Sequence, residues 1–270
     1  MPAQSAKAEF VRYVVKDHVA TITLNRPERR NALGGELSQQ LIDSFERAEH
    51  DKDVRVILLT AEGSTFCAGA DMTPGDPGRY GPLPRGMLAH RTYTENGYSR
   101  FKPVVGAVRG YALGAGFYLA IRGCDIVVAS DNALFGFPEA RGGVAIGPVE
   151  YMPVMPFKRM LEFLLLGWRG AELMTAERAF ELGIVSKVVS DDQLMAEALR
   201  YAALLQRIPP LYVKAVKAGM YRSVEKSATK SERDFMEYIY PQQNSGAVEE
   251  SLSAFAEKRE PNFWADKDQS

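Results

Sequence analysis

Cysteine is nearly absent: the 270 residues hold two, Cys67 and Cys124, with no CxxC or Cys/His spacing around them. This excludes a zinc site of ordinary ligand spacing and a secreted disulfide framework, and makes a reducing cytoplasm the expected setting. An excess of charge of one sign is missing too. With 33 Lys and Arg against 34 Asp and Glu the net charge is -1, so no global field draws the chain to nucleic acid or to a membrane surface. No apolar run reaches the roughly 18–20 residues needed to span a bilayer, and the opening MPAQSAKAEF lacks the apolar centre of a signal peptide. Low-complexity tracts and solenoid-type repeats are also lacking.

What is present can build a core. A chain of this length with 46% hydrophobic residues fits one large domain, or a domain with an appendage. Tyr13–Leu24 alternates in YVV and ATITL around a polar KDH, which predicts a hairpin whose second strand turns Ile22 and Leu24 to one face. Over Gly35–Glu49, Leu37, Leu41, Ile42, Phe45 and Ala48 recur at helical spacing, and VRVILLT at Val54–Thr60 reads as a buried strand. A second unit follows, with a strand at Val104–Val108, a glycine-rich turn at Gly110–Gly116, an apolar helix through Arg122 and a strand at Ile126–Ala129. The repeated β-β-α rhythm predicts an α/β core over residues 1–207. Ser190–Gln193 has capping-box form ahead of a helix to about Arg207, and Pro209-Pro210 then breaks the chain. Residues 208–270 read as a helical region, with helices near Leu211–Met220, Ser231–Tyr240 and Ala247–Lys258 whose apolar faces no strand covers. Met72–Gly86, with four prolines and four glycines, is expected to be a surface loop.

Two turns follow strands and feed helix-like sequence: Phe66–Asp71 (FCAGAD) and Gly110–Gly116 (GYALGAG). Small residues there let a ligand approach the backbone, and N–H groups at a helix start favour an anion, so the pair could form an oxyanion hole. Either turn alone equally suits close packing.

Taken in order, Asn25-Arg26-Pro27 with Asn31-Ala32-Leu33, FCAGAD, GYALGAG, Cys124-Asp125, FGFPE at Phe135–Glu139 and SAFAEKREPNF near the C-terminus resemble the successive signatures of the enoyl-CoA hydratase/isomerase (crotonase) superfamily. The resemblance runs from about Tyr13 to Phe263. It implies a crotonase-like spiral of ββα units, a C-terminal helical trimerisation segment, homotrimers or hexamers, and an acyl-CoA thioester as substrate. It implies no metal and no resident cofactor, since CoA arrives with the substrate. By position, the oxyanion donors would be the backbone N–H groups of Ala70 and Ala115. Arg29, Arg30, Ala32, Ala68, Asp71, Gly114 and Gly147 would fall at the substrate and CoA site, with Asp71 also suited to ordering its turn at a helix N-terminus. Phe255 and Lys258 match positions that reach CoA from the C-terminal helix. Without the resemblance, Arg29, Arg30 and Lys258 read as solvated charges.

Hydratases of this superfamily commonly use two glutamates, and here only one is kept. Glu139 matches the second, where a carboxylate could move a proton at the α- or γ-carbon or activate water, and burial against Phe135 and Phe137 would raise its pKa. The first position holds Tyr118. Its hydroxyl, with an ordinary pKa near ~10, could orient a water or donate a proton, or the ring could simply line the pocket. Loop residues Arg79, Tyr80, Arg85, His90, Arg91, Tyr93 and Tyr98 fall where the superfamily shapes its acyl pocket. The leading expectation is an enzyme that hydrates an enoyl-CoA or moves its double bond. A thioesterase or C–C lyase is the alternative within the superfamily. A non-enzymatic acyl-CoA- or RNA-binding homologue is the alternative outside it.

Overall fold

The computed structural model describes residues 9–71, 101–142, 155–168, 172–220 and 247–262. Gly147, the stretch 72–86, the residues at 79–98 expected to shape an acyl pocket and the helix expected at 231–240 lie outside the described residues. The chain opens with β1 (Val11–Lys16) and β2 (Val19–Leu24), an antiparallel hairpin turned by Asp17 and His18, both at positive φ. Helix α1 (Gly35–His50) returns the chain to β3 (Val56–Ala61), which joins β2 in parallel. Strands β4 (Val104–Val108), β6 (Ile126–Ser130) and β9 (Lys187–Val189) extend the sheet in parallel, giving the order β1-β2-β3-β4-β6-β9.

A parallel sheet must be covered on both faces, and β3 shows how its sequence meets that demand. All six of its residues are buried. Ile57, Leu59 and Ala61 point into the main core with Phe45 of α1, while Val56 and Leu58 point the other way, to Leu194, Ala198 and Ala202 of α6 (Leu194–Leu205).

A second, three-stranded sheet lies beside the first, with β5 (Tyr111–Leu113) parallel to β7 (Leu134–Gly136) and β7 antiparallel to β8 (Met174–Thr175). Each pass of the chain therefore lays one strand in each sheet and then forms a helix. After β4 and β5 comes α2 (Ala115–Gly123), and after β6 and β7 come α3 (Glu139–Gly142) and α4 (Phe157–Leu166). This is the expected spiral of ββα units.

Two local expectations are corrected. Within the glycine-rich turn 110–116, three residues pair as β5, because Leu134 N–H reaches Gly110 O and Gly114 N–H reaches Gly136 O. At Ser190 no capping box forms. The chain takes a 3-10 turn over Asp191–Gln193, the Ser190 side chain makes no capping bond, and Asp191 faces Arg109 at 3.3 Å.

After α5 (Ala176–Glu181), β9 and α6, the helix over 210–220, α7, is tied to the core through Lys217. Its Nζ donates to Asp125 Oδ2 at 2.7 Å and to Lys102 O at 2.8 Å. Helix α8 (Ala247–Glu257) packs on α3, and Arg141 of α3 pairs with Glu260 just beyond α8. Among the described residues no helix is long and apolar enough to cross a membrane.

Candidate active site

The two small-residue turns are laid side by side by backbone pairing. Cys67 N–H donates to Tyr111 O at 3.0 Å and Leu113 N–H to Cys67 O at 3.0 Å, so the FCAGAD segment runs along β5 as a further short strand. The turns touch at Gly69. A Cβ there, at φ 103°, would stand 3.0 Å from Leu113 O and 3.8 Å from Ala115 N. Glycine is needed both for the conformation and for the approach.

Pairing also aims the two N–H groups. Leu33 N–H donates to Gly69 O and Asp71 N–H to Leu33 O, both at 2.8 Å, which turns the N–H of Ala70 away from Leu33. Ala115 is the first residue of α2, so its N–H is one of those that helix geometry leaves without an intrahelical acceptor. Ala70 is exposed, and Ala115 sits at the buried mouth of its helix.

Glu139 comes to this place from the next turn of the spiral. Pro138 and Glu139 follow β7, whose parallel register with β5 brings the start of α3 over Gly114. Gly114, at φ 52° and ψ -117°, occupies a conformation open to glycine, and a Cβ there would collide with Glu139 Oε1 and lie 2.9 Å from its Cδ. The carboxylate thus rests where residue 114 would carry a side chain, one residue from Ala115. The residue is half-buried, but Oε2 is fully covered and meets no hydrogen-bond partner among the described residues. Desolvation pushes its pKa up to about 7, offset in part by its own backbone N–H. Behind it Phe117, Phe135, Phe137 and Phe163 form an aromatic wall, with ring centroids 4.7 Å apart for Phe117 and Phe163.

Of the residues expected on the CoA side, Arg29, Arg30 and Ala32 fall on one bend. Arg29 closes a 3-10 turn (Pro27–Arg29), and Arg30 and Asn31 both adopt left-handed backbone at φ 52° and 53°. Arg29 and Arg30 are exposed, Ala32 and Ala68 half-buried, and Ala68 N–H donates to Arg30 O at 3.0 Å. Asn31, which sequence alone did not single out, is fully buried and makes three bonds. Its Oδ1 accepts from Arg26 N–H at 2.8 Å, and its Nδ2 donates to Glu62 O at 2.9 Å and Thr65 O at 2.8 Å. The usable signal was asparagine's tolerance of positive φ. Asp71 is the last described residue before position 101, so the chain it would cap lies outside the described residues. It is 5% exposed, and its Oδ2 lies 2.8 Å from Arg26 Nη1.

Tyr118 is 2% exposed and belongs to the main core cluster, in a helix buried on every side. Cys67 lies between the turns, but burial pushes its thiol up to about 12, so it is no nucleophile at neutral pH. Phe255, 75% exposed, and Lys258, at φ 56°, sit at the end of α8 beside α3.

With this geometry in hand, comparison with known proteins is informative. The family model described as Enoyl-CoA hydratase/isomerase matches residues 15–267. An enoyl-CoA hydratase of Mycobacterium tuberculosis is 33% identical over 267 residues, covering 92% of this chain and 94% of that protein. The 1,2-epoxyphenylacetyl-CoA isomerase of Escherichia coli is 34% identical over 263 residues, covering 94% and 98%. The crystal structure of a carnitinyl-CoA hydratase from Mycobacterium avium superposes with a TM-score of 0.79 at 32% identity, covering 96% and 100%.

Proposed function

Because this chain belongs to the enoyl-CoA hydratase/isomerase family and is an acyl-CoA-processing enzyme, we propose that it moves a double bond along the acyl chain of a CoA thioester, with Glu139 as its single proton carrier. The observation that carries this reading is the Glu139 carboxylate seated on Gly114, its Oε2 without a hydrogen-bond partner among the described residues, next to Ala115, whose N–H helix geometry leaves without an intrahelical acceptor. The Glu139 carboxylate takes a proton from the α-carbon of a β,γ-enoyl thioester. The C–H electron pair passes into a dienolate, whose thioester oxygen accepts hydrogen bonds from Ala70 and Ala115. The carboxylic acid then returns the proton at the γ-carbon, giving the α,β-enoyl thioester. Each oxyanion donor of this kind is worth about 2.7–4 kcal/mol in the transition state. A carboxyl with a pKa of about 7 is populated in both forms near neutrality, as a shuttle between two carbons requires. Arg29, Arg30 and the end of α8 serve the CoA moiety. The scheme asks for no metal or redox group.

Hydration is the second reading, and the relatives named as hydratases favour it. Glu139 would then activate water at the β-carbon and deliver the same proton to the α-carbon. Mass analysis of products from a panel of short and aromatic enoyl-CoAs separates the two. An unchanged mass with a shifted double bond supports isomerisation, a gain of one water mass replaces it with hydration, and free CoA would overturn both in favour of hydrolysis. Glu139→Gln with undiminished turnover would remove the mechanism. The exposed apolar side chains of Phe157, Leu161 and Leu165 on α4, and of Leu211, Tyr212 and Met220 on α7, support assembly into trimers or hexamers, which light scattering tests.

A further inference from the structure

The bend over residues 26–33 is more tightly determined than packing alone requires. Two successive residues, Arg30 and Asn31, hold left-handed backbone that L side chains disfavour. Such strain persists only where surrounding contacts fix it, and the three bonds of the buried Asn31 amide do so. The bend presents its backbone to the FCAGAD turn at three points, through Arg30 O, Leu33 N–H and Leu33 O. The second of these has a direct geometric effect. A peptide unit is planar, so Gly69 O aimed at Leu33 N–H makes the N–H of Ala70, across the same bond, point the opposite way.

One link closes the circuit between the start of the bend and the end of the turn. Arg26 donates to Asp71 at 2.8 Å, with the two side chains 18% and 6% exposed, while Asp71 follows Ala70 directly in the chain. The guanidinium is further held over the Phe10 ring at 5.3 Å, and exposed Glu28 is the more distant carboxylate at 4.0 Å. We infer that Arg26 and Asp71 are positioning residues for the oxyanion hole, their largely buried ion pair fixing the peptide plane that presents the Ala70 N–H. Their role on this inference is exerted through the Ala70 peptide rather than on the substrate. The inference rests on the reading of Ala70 as an oxyanion donor. Misplacing a donor costs rate far more than ground-state affinity, because the bond strengthens as charge develops on the thioester oxygen.

The test uses the full chain with Asp71→Asn, Arg26→Met and the conservative Arg26→Lys. The probe is butanoyl-CoA carrying carbon-13 at its thioester carbonyl, whose stretching frequency falls when the oxygen accepts hydrogen bonds. In the unsubstituted protein binding should shift that stretch to lower frequency. Asp71→Asn and Arg26→Met should shrink the shift and lower kcat by about tenfold to a hundredfold, with KM and the butanoyl-CoA Kd changed less than about threefold. Arg26→Lys should regain most of both. Absence of a shift in the unsubstituted protein would overturn the oxyanion reading, and this inference with it. A full shift and full kcat in folded Asp71→Asn and Arg26→Met would overturn the inference alone. A lowered Tm with unchanged kcat per binding site would make the pair merely structural and would also overturn it.

Discussion

The two sheets of this molecule are built on opposite terms. The six-stranded sheet is regular, apolar on both faces, and held by ladders of equivalent bonds that no single residue decides. The small sheet is made of strands two or three residues long, extended by single bridges at Leu33–Ala70 and Cys67–Ala112 and set by glycines and left-handed residues that admit few substitutes. The large sheet supplies the stability that lets the small one be irregular. The small sheet aims the groups that the proposed proton transfer uses, since α2 opens with Ala115 just after β5 and α3 opens with Glu139 just after β7.

If that division holds, changes in the two sheets should fail in different ways. The largest effect is expected for Glu139→Gln, a fall in kcat of about a thousandfold in steady-state assays with the fold kept, as loss of a proton carrier in a desolvated site costs on the order of 10²–10⁴. In the unsubstituted protein, kcat/KM for α-proton removal should rise with pH through about 7 and level off, since the ionised form is the base. Leu59→Ala in β3 should do the reverse, losing about 2–5 kcal/mol in denaturant unfolding while turnover per folded molecule stays unchanged. A large loss of kcat per folded molecule there would break the contrast.

Glu139 also predicts a stability effect. Its pKa is raised by folding, so the fold favours the protonated form: the contribution is fully present below about pH 4.5 and is lost as pH rises through about 7. Glu139→Gln should therefore gain stability over the unsubstituted protein between pH 5 and pH 8, on the order of 3 kcal/mol at the upper end, read as a widening Tm gap. Gly114→Ala should lower kcat about a hundredfold through displacement of the Glu139 carboxylate, with a smaller loss of stability from the strained φ. The smallest change is expected for Tyr118→Phe. If the ring only packs in the core, kcat stays within about threefold, and a larger drop would restore the hydroxyl to the mechanism.

The same division explains what could be read in advance. The hairpin, α1, β3, β4, α2, β6 and α6 follow from side-chain periodicity, because their burial is two-sided or one-sided over many residues. The strands of the small sheet leave no such trace: β5, β7 and β8 are too short for alternation and lie among glycines. Capping-box spelling at Ser190 misled because a 3-10 turn and the Arg109–Asp191 pair took its place. Ala70, Ala115 and Glu139 were legible only through their motifs. The Arg26–Asn31–Asp71 circuit was not, since it joins residues 45 positions apart through a bend that no spacing rule encodes.

One contact also bears on descent. Since the Glu139 carboxylate fills the place of a side chain at 114, a side chain gained at 114 acts on the activity through residue 139. A lineage abandoning this chemistry could shorten residue 139 and then acquire a methyl group at residue 114 with no carboxylate left to displace. Once both had changed, neither reversion alone would bring the activity back: the glutamate would find its seat taken, and the glycine would open onto nothing. Loss of function at this contact would act as a one-way door.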